Sequence, residues 1–253
     1  MAAQPKPAYQ QLADDIRRRI LDGDLQAGDK LPTEVELMKD YGVSRIVVRN
    51  GVQALVSEGL VSTHRGKGMF VREQRPVRKR ISGDLYGKRP TASPVKRETE
   101  AEGRRSEWEY QTRFTTATRA VAERLGIEAG DDVVRTTYRF FADDEPIKLS
   151  TSYEPRALTA GTPIEQPEGG PITGVVPRFD SIGQHITHVT EEVNARAPRP
   201  YEAEQLQMAP GVPVMVVTRT YYVDQRPVET CDIVVAADRY SLSYTIPIPP
   251  PSA

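Results

Sequence analysis

The strongest constraint on the fold lies between residues 33 and 71, where two short helical patterns flank one tight turn and two strand patterns follow. Pro32 precedes Thr33-Glu34-Val35-Glu36, a capping box in which the Thr33 hydroxyl and the Glu36 carboxylate satisfy free amides at a helix start. That helix carries Val35, Leu37 and Met38 and stops at Gly42, because glycine enters the left-handed conformation with little strain. Ser44 caps the next helix, which runs through Val47, Val48, Val52, Leu55 and Val56 to Gly59. Upstream, Tyr9, Leu12, Ala13, Ile16 and Ile20 share one face of an earlier helix that ends near Gly23 and serves as scaffold.

Two short helices across a Gly-containing turn make a helix-turn-helix, and the first turns of the second helix are the part that enters a major groove. Here those turns present Ser44, Arg45, Ile46, Val47, Arg49 and Asn50. Arg45 and Arg49 lie one turn apart, and a guanidinium fork suits guanine O6 and N7. Asn50 suits adenine, or else faces solvent. Leu60-Val61-Ser62-Thr63 and Met69-Phe70-Val71 then read as two strands joined by His64-Arg65-Gly66-Lys67-Gly68, a basic turn able to approach a minor groove or its phosphates.

Taken singly, these features have bland explanations: helix arginines are commonly surface charge, and a Gly-Lys-Gly hairpin is commonly a solvated turn. Their order and spacing change that. Pro-Thr-Glu, Gly-Val-Ser-Arg, Val-Arg, Glu-Gly-Leu-Val and Arg-Gly-Lys-Gly-Met-Phe-Val together closely resemble the GntR family of bacterial regulators. The resemblance implies a winged helix-turn-helix over residues 1–73, with DNA contact from Ser44, Arg45, Arg49, Arg65 and Gly66; Ile46, Val47, Asn50 and Lys67 complete the expected DNA-binding set. Ile46 stands where the family usually has Thr or Met, Asn50-Gly51 where an acidic residue and Ala are common, and Val35 where Arg is frequent. A helical glycine at 51 costs about 1 kcal/mol of propensity relative to alanine.

Charge is divided to match. Residues 1–80 hold 15 Lys/Arg against 10 Asp/Glu, and residues 81–253 hold 19 against 25, so +5 in the first segment faces −6 in the second. A basic first segment suits a polyanion. The chain has neither a signal-like leader nor a long apolar run, and a lone Cys231 builds no disulfide framework, so the expected compartment is cytoplasmic.

From 74 to 107 apolar residues are sparse and Pro76, Pro90 and Pro94 interrupt regular structure, which reads as a linker whose Arg75, Arg78, Lys79 and Arg80 either touch phosphates or stay solvated. Beyond it the chain matches itself at an offset of about 81 residues: Ala122-Glu123 with Ala203-Glu204, Leu125 with Leu206, Gly130 with Gly211, Val133 with Val214, Asp143 with Asp224 and Pro146 with Pro227. Each copy reads as a short helix, a Gly turn, a strand, a hairpin and a strand, giving an α+β domain around one antiparallel sheet over 108–253.

That order, with Arg226-Pro227-Val228-Glu229 and Ala237-Asp238-Arg239-Tyr240, resembles the UTRA sensory domain of the HutC branch of GntR regulators, whose fold is chorismate-lyase-like. The resemblance implies a homodimer through the sheet, a double-stranded DNA operator, and a small effector between the repeat halves. The expected ligand-binding residues are Tyr138, Phe140, Ser152, Glu229 and Asp232, with Arg135 and Arg139 as anion partners. Where phosphosugar-binding members carry arginines, this chain has Tyr138 and Phe140, and period-two alternation sends Arg139 to the other face.

Two alternatives stand beside an effector-responsive repressor: a DNA-binding repressor without a small-molecule effector, and a chorismate-lyase-like enzyme using Glu229, Asp232 and His185. His185 and His188, with Glu191 and Glu192 nearby, permit a helical metal face, but no further ligand completes it. Phosphate-binding glycine loops and activated Ser or Cys motifs are absent, so no catalytic residue, metal or cofactor is expected.

Overall fold

The computed structural model describes residues 6–64, 66–72, 78–81 and 93–246. The chain divides into two compact units, Met1–Pro76 with Met208–Pro213, and Val77–Gln207 with Val214–Ala253.

The first unit contains α1 (Ala8–Leu21), α2 (Glu34–Tyr41), α3 (Arg45–Ser57), β1 (Val61–His64) and β2 (Gly68–Val71). The capping box forms as the sequence dictates: the Thr33 amide donates to Glu36 Oε2 at 2.7 Å, and the Glu36 amide donates to Thr33 Oγ1 at 3.3 Å. Gly42 ends α2 at φ 64°, and the Ser44 hydroxyl accepts from the Val47 amide to open α3. Leu12, Ile16, Leu37, Val48 and Leu55 are at most 1% exposed and form the core, each worth roughly 1.5–3 kcal/mol of burial. Gly51 lies where α3 crosses α1; a Cβ there would sit 2.7 Å from Leu12 Cδ2 and 2.9 Å from the Tyr9 carbonyl oxygen. The glycine that looked like a propensity defect is what lets the two helices approach. Polar contacts fasten α1 to its neighbours: Arg17 grips Glu58, just past α3, through Nε at 2.7 Å and Nη2 at 2.6 Å, and Tyr41 of α2 donates to Asp15 at 2.6 Å. β1 and β2 pair antiparallel from Val61↔Val71 to His64↔Gly68.

The second unit is built on a six-stranded antiparallel sheet in the order β4-β5-β6-β9-β8-β7. The internal repeat explains that order. Its first copy is β4 (Ser106–Thr116), a helix α5 (Arg119–Leu125), β5 (Asp132–Ala142) and β6 (Glu145–Pro155); its second is β7 (His188–Arg196), a helix α8 (Pro200–Gln205), β8 (Val214–Val223) and β9 (Arg226–Ala236). The copies meet at the centre, where β6 pairs with β9. Both hairpins turn on an aspartate in the left-handed region, Asp143 at φ 52° and Asp224 at φ 53°, a conformation that Asp tolerates. α6 (Arg156–Thr159) and α7 (Val175–Ser181) lie between the copies, and Phe179 of α7 is fully buried among Ile164, Ile186, Tyr221 and Val228.

Three expectations need correction. The linker over 74–107 is not free of regular structure: β3 (Arg78–Ile81) pairs in parallel with β10 (Tyr240–Ser243), and a helix α4 (Pro94–Ala101) precedes β4. Two of its cations are committed to the protein, while Lys79 is exposed. Arg78 bonds Glu102 and Arg80 bonds Glu191, contacts between residues 24 and 111 apart that no local pattern announces. Arg75 lies outside the described residues. Secondly, the edge strands β4 and β7 join the repeat, although the alternation of Trp108, Tyr110, Thr112 and Phe114 against Glu107, Glu109, Gln111 and Arg113 was a legible strand signature. Thirdly, residues 188–196 are a strand, which puts Glu191 and Glu192 on opposite faces and removes the helical metal face. Among the described residues, no three His, Cys, Asp or Glu cluster as a metal site, and no helix is long and apolar enough to cross a membrane.

Candidate nucleic-acid interface and effector pocket

The start of α3 is outward-facing. The side chains of Arg45 and Arg49 are 56% and 64% exposed, and Ile46 is 72% exposed, while Val48, Val52 and Leu55 hold the opposite face in the core. Ser44 and Asn50 are also exposed, and Val47 is half-buried. The N-terminal end of α3, where the helix dipole is positive, therefore leaves two guanidinium groups exposed to solvent, as contact with a polyanion requires. In the wing, Gly66 sits at φ 76° with open space where a side chain would project, and Lys67 is exposed. Arg65 lies outside the described residues.

One residue of this surface was missed from sequence. Glu34, at the start of α2, accepts from Arg49 Nε at 3.0 Å and stands 3.6 Å from Arg45 Nε. A single carboxylate thus bridges both proposed base readers across the turn. Lys30 is a second addition: its bridge to Phe70 carries it to the wing, with its ammonium 6.0 Å from the Phe70 ring.

The seven expected ligand residues divide between the two faces of the sheet, so no single pocket collects them. Cross-strand register puts Arg135, Thr137 and Arg139 beside Tyr153, Thr151 and Leu149, and Thr151 beside Asp232. On that face an open groove of about 650 Å³ is lined by Arg135, Arg139, Asp232, Arg196, Arg199 and Tyr201, among others. Its charges are largely internal partners: Arg124 grips Asp232 at 2.7 and 3.2 Å, and Arg196 grips the buried Glu202 with both terminal nitrogens at 2.7 Å. Tyr138 also reaches the groove wall.

On the opposite face, Tyr138 and Phe140 stack with ring centroids 5.3 Å apart. They line a hollow of about 90 Å³ with Ser93, Trp108, Glu168 and Arg178. Ser152 and Glu229 share this face but line neither cavity; both are buried. The face carries most of the buried charge of the unit. Arg178 of α7 donates to Glu154 at 2.7 and 3.0 Å and to the Ile164 carbonyl at 2.7 Å. Glu229 lies beyond, 1% exposed, with no hydrogen-bond partner for Oε2 among the described residues. Burial, and then the neighbouring Glu154 carboxylate, push its carboxyl up to about 8. Further along, Glu191 accepts from Arg219 at 2.7 Å, from Arg80 at 2.9 Å and from the Tyr244 hydroxyl at 2.9 Å. Burial opposes ionisation of Glu191, but Arg219 and Arg80 overcome it and hold the carboxyl at about 2.

Comparison with known proteins agrees with both units. Residues 8–71 match the bacterial regulatory proteins of the gntR family, and residues 101–241 match the UTRA domain. An uncharacterized HTH-type transcriptional regulator of Streptomyces coelicolor, SCO4628, is 33% identical, with the match covering 96% of this chain and 94% of that one. The HTH-type transcriptional repressor NagR of Bacillus subtilis is 29% identical over 95% of both chains. A solved GntR-family transcriptional regulator superposes with a TM-score of 0.78 at 40% identity, covering 96% of this chain and 99% of its own. PhnF of Mycobacterium smegmatis, at 22% identity and a TM-score of 0.57 over 93% of this chain and 98% of its own, shares the fold. These relatives are transcriptional regulators and not enzymes, so the resemblance of the sensory fold to chorismate lyase carries no catalytic role. A capped helix-turn-helix with a wing, followed by a duplicated α+β sensory domain, places this chain in the GntR family of transcriptional regulators, in its HutC-type, UTRA-containing branch.

Proposed function

We propose that the protein is a cytoplasmic, homodimeric repressor that reads a palindromic operator through the start of α3 and the wing, and that a small molecule bound in the C-terminal domain alters its DNA affinity. The exposed pair Arg45 and Arg49, one turn apart on a helix whose other face is buried, is the observation that carries the DNA half. Two symmetric copies would place two such helices on half-sites about one helical turn apart, or a multiple of it. Selection of bound duplexes from a random pool, followed by gel shift, tests this. A palindromic consensus is expected, and Arg45→Ala with Arg49→Ala should abolish preference for it; unchanged preference refutes the assignment. Sedimentation at micromolar concentration reads the dimer directly.

The effector half is supported by the open groove of about 650 Å³, which Arg135, Tyr138, Arg139 and Asp232 of the expected ligand set line together. A second reading, a repressor with no small-molecule effector, is favoured by the aromatic stack of Tyr138 and Phe140 and by the neutralisation of Arg178 by Glu154. Thermal-shift screening separates them, because an effector at 100 times its Kd adds about 2.7 kcal/mol to folded stability. A panel of sugar phosphates, organic acids and uncharged metabolites producing no shift supports the second reading.

A further inference from the structure

We infer that Glu34 is a specificity-determining positioning residue: its carboxylate holds the guanidinium groups of Arg45 and Arg49 in a fixed pair, so that their outer amino groups meet two guanines at a set separation. The inference rests on the reading of Arg45 and Arg49 as base readers. Both contacts run through Nε, at 3.0 Å from Arg49 and 3.6 Å from Arg45. The hydrogen bond at Nε of Arg49 and the ion-pair contact at Nε of Arg45 leave Nη1 and Nη2 of each arginine as the fork for O6 and N7 of a guanine.

A long exposed arginine otherwise loses rotamer freedom when it docks on a base edge; one acceptor shared by two such side chains removes part of that loss beforehand. The carboxylate also lowers the local positive charge from two to one. That weakens attraction to any phosphate backbone while leaving the oriented forks intact, which favours the correct sequence over bulk DNA. Glu34 also stands in the first turn of α2, where a negative charge suits the helix dipole, so the test must separate the two roles.

The full-length protein is assayed on two duplexes, the operator selected with the wild type and a scrambled control, over a range of salt. Glu34→Gln should lower the operator-to-control ratio by about tenfold, with control binding unchanged or tighter. Glu34→Asp keeps the charge at the helix start but draws the carboxylate back by one methylene, so it should lose the ratio as well. Replacing the operator guanines with 7-deazaguanine should weaken the wild type more than Glu34→Gln. An unchanged ratio in Glu34→Gln, an equal loss on both duplexes, or full rescue by Glu34→Asp overturns the inference. If Arg45→Ala with Arg49→Ala loses the ratio while Glu34→Gln keeps it, only the role of Glu34 fails. If all of these variants keep it, the recognition-helix assignment itself fails.

Discussion

Gly51→Ala sets two physical effects against each other, and the structure decides the sign. Helix propensity alone favours alanine by about 1 kcal/mol at an interior helical position. The added methyl, however, would lie 2.7 Å from Leu12 Cδ2 and 2.9 Å from the Tyr9 carbonyl oxygen. Leu12 is 1% exposed, so its displaced methyl has nowhere empty to go, and the Tyr9 oxygen is main chain that moves only if α1 moves. Inserting a methyl into a packed contact costs about 1–3 kcal/mol, and two contacts this short belong in the upper part of that range. Net of propensity, Gly51→Ala should destabilise the first unit by roughly 1–2 kcal/mol, which lowers its melting point by roughly 5–15 °C for a domain of this size. Circular dichroism at 222 nm on the full chain follows α1 to α3, while fluorescence of Trp108, the only tryptophan, reports the other unit and should be unaltered. A variant as stable as the wild type, or more so, in the dichroism transition would show that propensity governs this position and that the helices have room to part.

Three further outcomes follow from charges and exposed side chains. Glu191 is held at about 2 in the folded protein against 4.5 for an unperturbed glutamate, so its contribution, about 3 kcal/mol, is complete above pH 4.5 and lost as pH falls towards 2. Urea unfolding followed by Trp108 should show the penalty of Glu191→Gln shrinking across that window, and a pH-independent penalty contradicts the ion-pair account. Glu229 runs the other way: its folded value of about 8 exceeds the unfolded one, so wild-type stability falls as pH rises from about 4.5 to 8. Glu229→Gln keeps a neutral side chain of the same shape, and its melting point relative to wild type should climb between pH 5 and pH 8; a flat difference sinks the assignment. Ile46, 72% exposed between the two arginines, offers an apolar surface to a thymine methyl. Operators with deoxyuridine at the thymine nearest the recognition helix should bind several-fold more weakly, and Ile46→Ser should erase that difference in a gel shift.

What the sequence determined by itself was local or repetitive. The Thr33–Glu36 box, the Gly42 stop and the Ser44 cap lie within a few residues of the amides they serve, so they could be read off the chain and formed as read. The repeat at an offset of about 81 likewise foretold two copies meeting in one sheet, because equal patterns fold into equal elements. Tertiary structure decided everything that depends on register and on distant partners. Period-two alternation warned that Arg139 parts from Tyr138 and Phe140, but only the pairing of β5, β6 and β9 placed Arg135 and Asp232 with Arg139 and left Ser152 and Glu229 across the sheet. Arg78 and Arg80 read as solvated or phosphate-bound because their acids lie far along the chain: Glu191 reaches Arg80 only after the whole repeat has folded. The same holds for the proposed DNA-reading surface. Sequence spacing nominated Arg45 and Arg49, whereas the helix-turn-helix angle brought Glu34 between them and α1 against Gly51, since side-chain reach across a turn is a property of packing and not of spacing.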